Sequence, residues 1–166
     1  MVKISDEDFK IFSDTMNGLE AMPEIQRLKN FRQHGDNTTY QHVCNVANCA
    51  FYIAEKHHLK VDIVAMTTAA MFHDYYLYDT REMSYTNYQH AVLHPKLSVE
   101  NVSRFFPLTD HEKEIILSHM WPIPGCPRPK STEAKLVCYA DTYVAALEMG
   151  LGRHAWAPMD RAMVCC

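Results

Sequence analysis

Apolar residues recur at three- and four-residue steps along almost the whole chain, and that spacing is the strongest constraint on its fold. In 38–57, Val43, Val46, Ala47, Ala50, Ile53 and Ala54 line one helical face. Two-residue alternation of β-branched side chains, the mark of a half-buried strand, is nearly absent, and only five glycines interrupt the pattern. The expected fold class is all-α: a single-domain multi-helix bundle over residues 1–166, with its core at about 38–148. No repeat or linker divides it.

Punctuation between the periodic stretches sets the expected helices. Ser5-Asp6-Glu7-Asp8 reads as a capping box opening a helix to Leu19. Pro23 starts a short helix to Lys29. His34-Gly35-Asp36-Asn37 forms a loop before the 38–57 helix, and Asp62 caps a small-residue-rich helix, Ile63 to His73. Residues 77–93 read as a polar, aromatic loop, with Pro95 starting a helix to Phe106. Thr109 to Glu112 fits a capping box for a helix to Trp121, stopped by Pro122. WPIPGCPRPK is a connector, and Ser131 or Thr132 opens a last helix to Glu148, ended by Gly150.

Composition excludes several classes. With 166 residues the core needs no disulfide staples. A net charge of -4 argues against a broad nucleic-acid face, so no nucleic-acid polymer is expected as partner. No apolar run reaches the ~20 residues of a membrane span, and no membrane partner is expected. The charged opening MVKISDEDFK lacks secretory character, and the six cysteines form no CxxC pair. These features predict reduced thiols and a cytoplasmic location; the terminal Cys165-Cys166 reads as an incidental tail. Composition leaves the oligomeric state open.

Chemistry concentrates at six positions. His42 lies at the edge of the 38–57 apolar face; His73 shares the inward stripe of Ala65 and Ala69, with Asp74 beside it. His94 precedes Pro95 at an expected N-cap, and His119 follows Ile115 and Ile116 on a buried stripe. Asp141 is the sharpest case. Its mid-helix position among Val137, Cys138 and Ala145 buries a carboxylate, which costs several kcal/mol unless it is paired or protonated. A buried Lys or Arg would answer for Asp141, and any one histidine on an apolar stripe is more often a hydrogen-bonded core residue. Four histidines and two aspartates from five helices or helix ends are harder to explain separately. Six N and O donors exceed the four that saturate one zinc, so two ions with a bridging carboxylate fit better. The absence of cysteine ligands suits Fe, Mn, Co, Ni or Mg, with Zn also compatible. His57 and His58 complement a helix C-terminus, whereas His34, His90, His111 and His154 sit in polar surroundings and read as solvated.

The ordered series His42, His73-Asp74, Asp141, with His94 and His119 between, resembles the extended H…HD…H…H…D pattern of the HD superfamily of metal-dependent phosphohydrolases. TTYQHVCNVA, FHDYYLYD, LHPKLSVENV and ADTYVAALE carry the likeness. The HDxGK and GYP motifs of the cyclic-di-GMP branch are missing, since Tyr75, Tyr76 and Leu77 follow the HD pair; the long alarmone-hydrolase signature is not evident either. The resemblance implies two divalent ions and a metal-activated water acting on a nucleotide or other small phosphoester. His42, His73 and Asp141 would hold one ion, His94 and His119 the other, and Asp74 would bridge. Lys96, placed in a first helical turn, is the leading expectation for phosphate contact, and Arg81, Arg128 and Lys130 are secondary ones. Tyr75, Tyr76 and Tyr78 serve either as core aromatics or as a stacking surface for a base. The same ligands would also serve a mixed-valent diiron oxygenase of the superfamily, or a non-enzymatic metal-containing sensor.

Overall fold

The computed structural model describes residues 4–33, 37–79, 82 and 84–150. Seven α-helices account for most of them: α1 Asp6–Glu20, α2 Pro23–Gln26, α3 Thr39–Lys56, α4 Ile63–Phe72, α5 Asn87–Val102, α6 Asp110–Ser118 and α7 Thr132–Glu148. A 3-10 turn, Arg27–Asn30, continues α2. No strand occurs among the described residues; Arg32 and Thr38 form one isolated antiparallel bridge. The fold class is all-α, as the apolar spacing predicts. No helix among the described residues is long and apolar enough to cross a membrane. The Cys165-Cys166 tail, His34, His154 and Arg81 lie outside the described residues.

The bundle is built around α4. Nine of its ten residues are buried, all but Val64. A helix apolar on every side belongs in the middle of a core. Ala65, Ala69 and Ala70 carry no bulk beyond Cβ, so α1, α3, α5, α6 and α7 all pack against α4. Phe72 at its end is wedged among Tyr75, Phe105 and Phe106, with ring centroids 5.1 to 6.0 Å away. Phe12 of α1 stacks on Phe51 of α3 at 4.2 Å.

Most helix starts follow their caps. Thr38, Thr86 and Thr109 each form a reciprocal capping box, with Gln41, Gln89 and Glu112 respectively. Ser5 caps α1 by accepting from the Asp8 N–H, without the reciprocal bond of a full box. Asp62 and Ser131 cap α4 and α7 as expected.

One expectation is overturned. The stretch 77–93 is not a loop throughout, and Pro95 does not start a helix. The helix begins at Asn87, where Thr86 and Gln89 supply the cap, and Pro95 sits inside it. A helix-interior proline lacks the N–H that would satisfy the carbonyl four residues back. That carbonyl belongs to Ala91, and the Cys126 thiol donates to it across 3.7 Å. The connector 121–130 thereby replaces the bond that the proline deletes. Other contacts fasten the same connector: Tyr88 Oη donates to Pro124 O at 3.1 Å, and Cys138 Sγ to Trp121 O at 3.1 Å. Glu114 accepts from Lys130 N and from Ser131 Oγ. Gly125 turns the connector with φ +91°, a conformation that a β-carbon would strain.

Since the start of α5 rests on Thr86, Thr86→Ala is expected to cost about 1 kcal/mol of stability. Urea unfolding followed by circular dichroism measures it. A loss near zero would argue against a helix beginning there.

Candidate metal centre

Four of the six sequence-predicted donors sit at or near helix ends, and this follows from backbone chemistry. The last carbonyls of a helix lack intrahelical partners. His73 stands at the C-cap of α4 and its Nδ1 lies 2.7 Å from Ala70 O; His119 stands at the C-cap of α6 with Nδ1 2.6 Å from Ile116 O. A carbonyl only accepts, so each Nδ1 carries a proton, and Nε2 is the atom each ring turns to the site. Asp74 follows α4 directly, and His42 lies in the first turn of α3.

His94 reaches the same state by another route. It is not the expected N-cap but an interior residue of α5, with Nδ1 2.9 Å from His90 O. Asp141 lies mid-helix in α7, as the sequence reading requires.

The six side chains converge and are all buried. His42, His73, Asp74 and Asp141 form one group whose potential ligand atoms lie within 4.8 Å of one another, and Asp74, His94 and His119 form a second. Asp141 Oδ1 is 3.0 Å from His42 Nε2 and 3.6 Å from His73 Nε2. Asp74 belongs to both groups through different oxygens. Its Oδ2 faces His42 Nε2 at 3.6 Å and His73 Nε2 at 3.4 Å. Its Oδ1 faces His94 Nε2 at 3.1 Å and His119 Nε2 at 3.7 Å.

The donor chemistry fits cations. The Nε2 atoms of His94 and His119 lie 2.7 Å apart, although both rings spend their Nδ1 proton on a carbonyl. Two bare ring nitrogens with a carboxylate oxygen beside them repel unless positive charge stands between them. His73 Nε2 and Asp74 Oδ1 are buried and have no hydrogen-bond partner among the described residues. Buried polar atoms of this kind are rare and point to an ion or water. Among the described residues, neither aspartate pairs with a lysine or arginine, so the alternative explanation of Asp141 does not apply.

Proton affinities point the same way. Burial disfavours the His42 imidazolium, but hydrogen bonds to Asp141 and Glu148 outweigh it and raise the pKa to about 9. His73 is likewise raised despite burial, by the charges of Asp74 and Asp141. Against their own burial, Asp74 is held ionised chiefly by His73 and His94, and Asp141 by His42 and His73. His119 is lowered to about 3, first by burial and then by His94 and His73, and so stays a neutral donor. Carboxylates held ionised beside a neutral imidazole suit metal coordination.

Three neighbours escaped the sequence reading. Glu148 Oε2 accepts from His42 Nδ1 at 2.8 Å, and its Oε1 accepts from Asn45 Nδ2 at 3.0 Å. It lies seven residues after Asp141, two turns along the same face, a spacing visible in the sequence. His90 is not solvated: its Nδ1 is 2.7 Å from Tyr78 Oη, and its ring stacks on His94 at 4.5 Å. Its place four residues before His94 was the available signal. Gln33 donates through Nε2 to Asp74 Oδ2 from the segment before α3, and no sequence pattern announces it.

The remaining candidates lie outside the cluster. Lys96 is ten residues into α5 rather than in a first turn, and is exposed, so backbone N–H groups do not support it. Arg128 lies over the Trp121 ring at 5.9 Å, and Lys130 is exposed. Tyr75 and Tyr76 are buried core residues, and Tyr78 is tied to His90.

A family model described as HD domain matches residues 39–146. No curated protein and no solved structure matches the chain significantly.

Glu148 orients the His42 ring and strengthens it as a donor. Removing such a partner typically weakens metal affinity about 10–100-fold. Glu148→Gln is expected to lower Mn2+ affinity within that range while the fold is kept, as read by calorimetric titration alongside circular dichroism.

Proposed function

The chain belongs to the HD-domain family, whose members are typically metal-dependent hydrolases, and on that premise we propose that it is a phosphohydrolase acting on a nucleotide or other small phosphoester. One observation carries the reading: the two oxygens of Asp74 face two separate donor groups. A carboxylate so placed suits a pair of divalent ions of the Fe, Mn, Co, Ni, Mg or Zn type. In this reading His42, His73 and Asp141 would hold one ion, His94 and His119 would hold the other, and Asp74 would serve both.

Bound ions supply a water activated at neutral pH and neutralise charge on the phosphoryl oxygens. The protein's own part is positional. The backbone carbonyls of Ala70, His90 and Ile116, with the Glu148 carboxylate, lock the four imidazoles in one tautomer, each with Nε2 aimed inward. Gln33 holds Asp74 Oδ2, so the carboxylate keeps its orientation. A cavity of about 690 Å³ opens on Asp74, His94, His119 and Asp141 and gives a substrate its approach. His42 and His73 lie behind that floor, fully buried. Contact with the phosphate falls to this floor and to Gln33, Asn87 and His90 beside it rather than to Lys96, which does not line the cavity.

Anaerobic purification with elemental analysis, followed by a phosphoester screen with oxygen uptake monitored, tests the reading. Turnover without oxygen consumption is expected. His94→Ala and His119→Ala should each lower kcat by at least about 100-fold and reduce bound metal from two equivalents to one. Unchanged stoichiometry would remove the second ion from this reading. Oxygen uptake coupled to turnover would replace hydrolysis with oxygenation.

A further inference from the structure

The cavity over the donor cluster constrains the rest of the substrate, given the phosphohydrolase reading on which this inference rests. Its volume of about 690 Å³ is typical of a site for one small molecule. Away from the floor the wall is apolar: Met120, Trp121, Pro122, Ile123, Ala145 and Met149. Asn87, His90 and Thr142 supply a few polar points. Among the described residues, no lysine or arginine lines it. Arg128 is directed to the Trp121 ring and lies outside the lining, as do Lys96 and Lys130.

A helix N-terminus could replace a missing cation, and α5 does begin at the cavity with Asn87. Its capping box already engages two of the available groups: Thr86 Oγ1 accepts from Gln89 N–H, and Gln89 Oε1 accepts from Thr86 N–H. A second phosphate in this cavity would sit against apolar side chains and, among the described residues, would meet no lysine or arginine, which is unfavourable.

We infer that the substrate carries a single phosphoryl group on a compact, uncharged, largely apolar body, and that Trp121 and its neighbours select that body. The wall is preorganised for this. Cys138 Sγ holds Trp121 O, Tyr88 Oη holds Pro124 O, and Cys126 Sγ holds Ala91 O, which ties the connector to α7 and α5. The Trp121 side chain retains 41% exposure, so a large apolar face stays open beside a buried charged floor. An aromatic face of this kind, with Arg128 over the ring at 5.9 Å and a site for an anion beside it, suits an aryl or similarly flat group.

Calorimetric titration of the full-length protein, saturated with Mn2+, tests the inference with four non-hydrolysable or product probes: inorganic phosphate, methylphosphonate, phenylphosphonate and 1,3-propanediyl bisphosphonate. Phenylphosphonate is expected to bind at least about tenfold more tightly than methylphosphonate, and the bisphosphonate more weakly than phenylphosphonate. Trp121→Ala should shrink the phenyl-to-methyl ratio below about threefold, while Trp121→Phe should preserve it. Equal affinity for the two monophosphonates, or tighter binding of the bisphosphonate, would overturn the inference and leave the phosphohydrolase reading intact. If none of the four probes bound, that reading would fall, and this inference with it.

Discussion

Two ionised carboxylates, Asp74 and Asp141, are buried in a bundle where, among the described residues, no lysine or arginine meets them. Their partners are imidazoles that have already spent a proton on a carbonyl or on Glu148. Negative oxygens and bare nitrogens therefore converge on one small volume, and the arrangement is stable only if positive charge enters it. Without metal, protons on His42 and His73 meet part of that demand, which is why both rings hold protons more tightly than usual. A divalent ion meets it without occupying the space of a side chain. Uptake of a metal ion at this cluster would therefore release protons.

The scaffold is arranged around the same demand. The central helix α4 is short and rich in small residues, so its neighbours approach closely and the ends of several helices arrive near one point. His73 and His119 use the unsatisfied carbonyls of their own helix ends as orienting partners, a role those carbonyls fill at no expense to the helix. Pro95 breaks the hydrogen-bond ladder of a helix beside the site, yet the Cys126 thiol satisfies the carbonyl that proline orphans. The connector that supplies this thiol also supplies Trp121, so helix repair and cavity wall belong to one segment.

The cavity divides the work between charge and shape. Among the described residues, the carboxylates and the donor imidazoles lie in the floor. The wall contributes apolar area and a few polar groups. In the proposed reading, such a division leaves the reacting group to coordination and the remaining group to fit.

Much of this was legible in the residue order. Helical periodicity named the fold class, and capping residues located the starts of α1, α4, α6 and α7. The unusual cost of Asp141 on an apolar face, together with spaced histidines, pointed to the six donors that the structure brings together. Pro95 misled because a proline commonly opens a helix, and the compensating Cys126 thiol lies 35 residues along the chain from the Ala91 carbonyl it meets in space. Gln33 and His90 depend on folding in the same way, since nothing in a short window tells which polar group will face Asp74 or stack on His94. Local sequence decided what each helix is and which residue types it presents, because periodicity and capping act within a turn or two. Only the tertiary structure decided which oxygen of Asp74 faces which imidazole and which wall stands over them, because those distances arise from packing elements a hundred residues apart.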